Sequence, residues 1–111
     1  MIILFAEERF EKECNKHALL VKRYGGRQAE TIQRRLADLH AASTLEVMRT
    51  LPGRCHELTG DLKGFLALYL VNPRRLIFEA ANDPVPRKAD KGLDWTKVTE
   101  IRIIGIKDYH D

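Results

Sequence analysis

Only two cysteines, Cys14 and Cys55, and a single tryptophan occur in the 111 residues. Two thiols are too few for the disulfide framework on which small secreted domains depend, so a reducing compartment is expected. Long apolar runs are also missing. Met1 to Ala6 is cut off by Glu7 and Glu8, a stretch too short for a signal peptide and far too short to span a bilayer. A soluble, cytoplasmic protein without membrane contact is the expectation. No Gly-rich phosphate loop follows a strand, and Gly-x-Ser-x-Gly, Cys-x-x-Cys and His-Glu-x-x-His are all absent. Their absence removes the common nucleotide-binding, hydrolase and zinc chemistries. Cys14-x-x-His17 and the adjacent Cys55-His56 contain ligating atoms at the wrong spacing, since neighbours on a strand point to opposite faces. No metal and no cofactor is expected.

What is present is one domain's worth of chain, residues 1–111, with 44% hydrophobic and 32% charged residues. Its net charge of +3 is unevenly placed. Residues 1–55 carry ten basic and seven acidic side chains, and residues 56–111 carry nine of each. The surplus gathers around Lys22, Arg23, Arg27, Arg34, Arg35, Arg49 and Arg54. It suits a polyanionic partner and is equally compatible with solvated helix faces.

Hydrophobic period divides the chain in two. Ile2 to Phe5 reads as a short strand, and from Glu7 the pattern turns helical, with Phe10, Cys14, His17 or Ala18, and Val21 at spacings of three and four. Gly25-Gly26 ends that helix. A second helix carries Ala29, Ile32, Leu36 and Leu39 on one stripe, with Glu30 and Arg34 as an i,i+4 pair. Ser43 or Thr44 caps a short turn that Pro52-Gly53 stops. Beyond Gly53 come four apolar, strand-like runs: Cys55 to Leu58, Phe65 to Leu70, Arg75 to Ala80 and Thr99 to Ile106. Short links predict antiparallel neighbours. In the last run the apolar parity shifts between Ile103 and Ile104, which signals a bulge or a partly covered second face. The fold class is α+β: N-terminal helices packed on one face of a small antiparallel β-sheet.

Several residues could carry chemistry. Asp108, Tyr109 and His110 follow the last strand; in an extended chain Asp108 and His110 share a side, so the carboxylate can orient the imidazole. A frayed, solvated tail is the competing reading. His56 opens the first strand after the helices, where a histidine serves either proton transfer or a local hydrogen bond. His17 and His40, on or beside helix stripes, read as structural. Arg74 and Arg75 follow a proline turn, with Arg54 just ahead of His56 and Lys63 on the next turn. Guanidiniums at strand ends suit bidentate phosphate contacts, and only one of Arg74 and Arg75 can face a given side.

Arg54-Cys55-His56-Glu57-Leu58-Thr59-Gly60-Asp61-Leu62-Lys63-Gly64, then Asn72-Pro73-Arg74-Arg75-Leu76-Ile77-Phe78-Glu79, then Asp108-Tyr109-His110, together resemble the HigB branch of the RelE/ParE toxin superfamily. Gly92-Leu93-Asp94-Trp95 is similar to a lead-in to the last strand in some of these toxins. The resemblance spans the whole chain in element order. It implies the toxin half of a type II toxin–antitoxin pair, cleaving messenger RNA at the ribosome without metal. It implies catalytic or substrate-contact roles for His56, Arg75, Asp108, Tyr109 and His110. A HigA-like antitoxin, the ribosome and mRNA are the implied partners, with a higher-order toxin–antitoxin complex. On this reading Arg54, Lys63, Arg74, Arg34, Arg35, Lys22 and Arg23 contact RNA phosphates. One position departs from the pattern, because a lysine common three residues after the matching histidine is Thr59 here. A ParE-like toxin that binds gyrase without nuclease activity, and an inactive relative that only binds its antitoxin, are the competing functions.

Overall fold

The computed structural model describes residues 1–108. Tyr109 and His110, named above, lie outside the described residues.

Strand β1 (Ile2–Phe5) leads into three helices, α1 (Glu8–Cys14), α2 (His17–Tyr24) and α3 (Gly26–Ala41). A 3₁₀ turn at Leu45–Thr50 follows, and then strands β2 (His56–Glu57), β3 (Leu66–Tyr69), β4 (Arg74–Ala80) and β5 (Glu100–Asp108). The expected single first helix is broken at Asn15 and Lys16, with Lys16 extended. The break resets the helical phase. Leu20 is therefore the buried position of α2, while Val21, on the expected stripe, stands 37% exposed. Gly25 closes α2 and opens α3 in one residue, at a φ of 86° that favours glycine, its amide bonded back to Val21 and its carbonyl accepting from Ala29. Along α3 the stripe is as expected: Ala29, Ile32 and Leu39 are fully buried and Leu36 packs beside them.

The five strands form one sheet in the order β1-β5-β4-β3-β2. Pairs β2–β3, β3–β4 and β4–β5 are antiparallel, as the short links predict. The exception is β1, which lies parallel to β5 with Ile2 opposite Glu100 and Phe5 opposite Ile103. Its link to β5 runs through nearly the whole chain, so no tight turn constrains its direction. The Met1 ammonium donates to the carbonyls of Leu39, His40 and Ala42 at 2.6–3.1 Å, satisfying groups left open at the end of α3.

The two faces of the sheet differ. Leu66, Leu68, Leu76, Phe78, Ile101 and Ile103 meet the helices in the main core. On the other face Ala67, Ile77 and Leu58 form a smaller cluster with Leu62, Phe65 and Ile104. The bulge expected near Ile104 is present, since Phe78 pairs with Ile103 and Ile77 with Gly105. The skipped Ile104 turns to the second face and packs there, so the parity shift reports both a bulge and a covered second face.

Two polar side chains tie α3 to the end of β3. Buried Gln28 donates to the Val71 carbonyl at 3.0 Å and accepts from the Val71 amide at 2.9 Å, pairing with the chain as another strand would. Arg35 Nε donates to the Tyr69 carbonyl at 2.9 Å. Gly53 makes room for that arginine, because a Cβ there would stand 2.8 Å from Arg35 Nε. Replacing Gln28 with leucine keeps the volume, strands the Val71 amide and leaves the Val71 carbonyl with the Arg74 amide alone, at 3.1 Å. Gln28→Leu should cost about 2 kcal/mol in urea unfolding; an unchanged midpoint would show that the clamp is not needed.

Candidate functional site

Strand parity decides which candidates meet. In β4, Arg75 shares its face with Ile77, and Arg74 shares the helix-side face with Leu76 and Phe78. Across the sheet Tyr69 pairs with Arg75 and Arg75 with Lys107, giving a row Tyr69–Arg75–Lys107 on the face away from the helices. His56 pairs with Ala67, two residues from Tyr69 on β3, which puts the imidazole on the same face. The rings of His56 and Tyr69 meet edge to face at 5.8 Å between centroids. The Arg75 guanidinium lies 3.7 Å from the Tyr69 ring centre and that of Arg54 at 5.5 Å.

Arg75 is only 7% exposed. One of its amino groups donates to Asn72 Oδ1 at 3.0 Å and to the Arg74 carbonyl at 2.9 Å. These bonds and the Tyr69 ring hold the guanidinium in place. Directly opposite stands a second cation, Lys107. Like charges facing each other across a strand pair destabilise a sheet, so such a row suits an anionic ligand. Further along the same face the opposed pair is neutral: Arg102 donates to Glu79 at 3.0 Å.

Arg54 contributes through its backbone as well. Its φ is 47°, a left-handed conformation uncommon for a residue with a side chain. His56 Nδ1 lies 2.7 Å from the Arg54 carbonyl. A carbonyl only accepts, so Nδ1 carries the hydrogen and the neutral ring keeps its lone pair on Nε2. The imidazole is thus set up for proton transfer at Nε2, with guanidiniums nearby to stabilise charge on a phosphate.

Other candidates lie elsewhere. Asp108 pairs with Arg74 in register, and its carboxylate is 3.5 Å from the Arg74 guanidinium on the helix-side face. That guanidinium also stands 5.5 Å from the Tyr24 ring. The sequence reading placed Asp108 with Arg75 among the catalytic residues and Arg74 among the RNA contacts; the alternation of β4 and β5 sets Asp108 and Arg74 on the face opposite His56. Arg34 and Arg35 line a 770 Å³ groove with Arg27, Val71 and Asn72, and Tyr69 borders it. Within it Arg34 is bonded to Glu30 at 2.7 Å, and Arg35 is engaged with the Tyr69 carbonyl. Lys22 and Arg23 line a separate groove between α1 and α2, where Arg23 donates to the buried Glu13 at 2.6 Å. Lys63 borders a third groove, with Arg87 and Lys91 beyond β2. His17 bonds Gln33 at 2.8 Å, in keeping with a structural role.

Tyr69, Asn72 and Lys107 belong to the His56 face and were missed in the sequence. Tyr69 is hidden in an apolar run, Phe65 to Leu70, that reads as core at both parities. The signal was the hairpin around Asn72-Pro73, whose register sets Tyr69 opposite Arg75. Among the described residues, no three His, Cys, Asp or Glu side chains gather where a metal could be held, and no helix is long and apolar enough to cross a membrane.

No family model and no curated protein matches the chain. Solved structures do share its fold. A YoeB/ParE toxin from Agrobacterium tumefaciens aligns with a TM-score of 0.60 at 11% identity, covering 99% of this chain and 100% of the other. The YoeB-YefM complex from Staphylococcus aureus gives 0.57 at 15% identity, and the YoeB dimer from the same organism 0.56 at 16%; each alignment covers 100% of this chain and 98% of the other. The chain therefore has the α+β fold of the YoeB/ParE toxins.

Cys55, next to His56, turns the other way and packs against the main core. Burial pushes both thiols up, Cys14 and Cys55 each to about 12. A raised folded value means that the protonated thiols favour the fold below the ordinary thiol range, and that this contribution fades as pH climbs toward about 12. At pH 8 both thiols should react with a disulfide reagent far more slowly than in urea; fast labelling of the native protein would contradict their burial. For Arg54, both truncations remove the guanidinium but only glycine relieves the left-handed backbone. Arg54→Gly should therefore be more stable than Arg54→Ala by about 1 kcal/mol in urea unfolding, and equal midpoints would show that the residue carries no strain.

Proposed function

We propose that this chain is the toxin of a type II toxin–antitoxin system and that it cleaves messenger RNA in the ribosome by general acid/base catalysis. The observation that carries this reading is the convergence of His56, Arg54 and Arg75 around Tyr69 on one sheet face, at the cationic end of a fold shared with YoeB/ParE toxins. The motif resemblance of Arg54 to Gly64, Asn72 to Glu79 and Asp108 to His110 adds the HigB branch to the proposal. One solved neighbour is a complex of YoeB with YefM, which supports an antitoxin as partner here, of the HigA-like kind on the motif resemblance.

The chemistry follows from the atoms. A base removes the proton of a ribose 2′-OH, the 2′ oxygen bonds to the adjacent phosphorus, and the bond from phosphorus to the 5′ oxygen breaks as that oxygen takes up a proton. His56, with Nδ1 committed to the Arg54 carbonyl, serves one proton transfer through Nε2. Arg75, held over the Tyr69 ring, and the exposed Arg54 stabilise the charge gathering on the phosphate. His110 serves the other proton transfer and Tyr109 positions or stacks on a base. Both roles rest on the resemblance, as does that of Asp108 in orienting His110, which competes with its ion pair to Arg74. Lys107 extends the cationic row, and the groove lined by Arg27, Arg34 and Arg35 leads away from it for the RNA backbone. Lys63, Arg74, Lys22 and Arg23 contact RNA phosphates more remotely, from other faces.

The test is to map messenger ends after adding the protein to programmed ribosomes and to naked RNA. Cuts are expected only with ribosomes, and His56→Ala should reduce them about 10²–10⁴-fold without loss of the folded state. Cuts on naked RNA alone, or an active His56→Ala, would reject the mechanism. Trapping of a gyrase cleavage complex with intact messages would move the chain to the gyrase-binding class.

A further inference from the structure

We propose that Tyr69 is the positioning residue of this site, its ring holding the guanidiniums of Arg54 and Arg75 and the imidazole of His56 in one arrangement around the phosphate. The proposal rests on the nuclease reading above and adds to it a residue that neither the motifs nor the fold likeness singles out. Three site residues contact this one ring, at 3.7, 5.5 and 5.8 Å between group centres. They come from different elements: Arg54 from the turn before β2, His56 from β2 and Arg75 from β4. Tyr69, on the strand between β2 and β4, is what they share.

The ring is not apolar filler. Ala67 and Ile77 on the same face belong to the small apolar cluster, and Tyr69 belongs to neither cluster. Its backbone is also fixed on both sides, the amide donating to the Gly53 carbonyl at 2.7 Å and the carbonyl accepting from Arg35 at 2.9 Å. A ring on so rigid a mount can set the orientation of groups that lean on it. The choice of an aromatic matters electrostatically. A carboxylate would gather two guanidiniums equally well but would bring an opposing charge, whereas a π face attracts cations through its quadrupole and adds no net charge of its own. Leu, Ile or Val at this place would lack the attraction altogether.

The experiment compares Tyr69→Phe, which keeps the ring, with Tyr69→Leu, which removes it. On programmed ribosomes, Tyr69→Phe should stay within about threefold of the parent protein, and Tyr69→Leu should lose about 10²-fold in kcat with KM changed by less than about threefold, as expected when a reacting group is misplaced rather than unbound. Equal losses in the two variants would assign the role to the hydroxyl, and an undiminished Tyr69→Leu would deny any role; either result overturns the proposal. A second readout needs no cleavage: hydrogen exchange at Arg75 Nε, measured by NMR on the free protein. Protection should persist in Tyr69→Phe and fall about tenfold or more in Tyr69→Leu, as ordering by the ring requires. If the parent protein cuts no message, the nuclease reading fails, and this exchange alone decides for or against Tyr69. Should Tyr69→Leu not fold, Arg75→Lys keeps the charge but cannot lie flat on the ring. It should then show the same loss in kcat, or, if the parent is inactive, leave the His56 ring nitrogens disordered by ¹⁵N NMR; unchanged values would overturn the proposal.

Discussion

The site depends on how α3 grips the end of β3. Gln28 supplies both a donor and an acceptor to Val71, and Arg35 reaches the carbonyl of Tyr69 through the space left by Gly53. These part-buried side-chain bonds to backbone are costly to break, because the Val71 amide and the Tyr69 carbonyl lose the partners named here. They hold the β3–β4 hairpin from the helix side while its opposite side carries the cations. Asn72, one residue past the clamp at Val71, passes the constraint on by accepting from Arg75.

On that foundation the sheet separates its charges by face and by position. Glu79 and Arg102 neutralise each other on the outer face, and Arg74 and Asp108 form an ion pair on the helix side. Between these balanced pairs, the row at the hairpin end collects Arg75 and Lys107, with Arg54 close by. The distribution suits a surface that meets a polyanion at the hairpin end.

Much of this was legible in the sequence, for reasons that can be stated. Period and parity are local properties, so the stripe of α3, the strand runs and the bulge at Ile104 could be read directly, and so could the rule that Arg74 and Arg75 face opposite ways. His56, Arg54 and Arg75 were singled out by residue type and strand-end position, and the fold brings them together. What remained hidden depends on pairing between distant segments. The parallel seat of β1 involves Glu100 to Ile103, far along the chain. The break at Asn15 and Lys16 shifted the phase of α2, and no apolar spacing announced it. Tyr69 looked like core because its strand is apolar on both faces; only the register opposite Arg75 gives it a different role. The face of Asp108 was hidden for the same reason, since it follows from the pairing with Arg74.

The place of β5 has a consequence for biosynthesis. It is the last of the described strands in sequence yet sits inside the sheet, between β4 and β1. Until β5 has been made, β1 lacks its strand partner and Arg75 the lysine across from it, since Lys107 arrives with that strand. Contacts spanning nearly the full polypeptide close late, after the slow search that such long loops impose. The row is therefore assembled only when β5 takes its place, and whatever that surface does waits on that one strand.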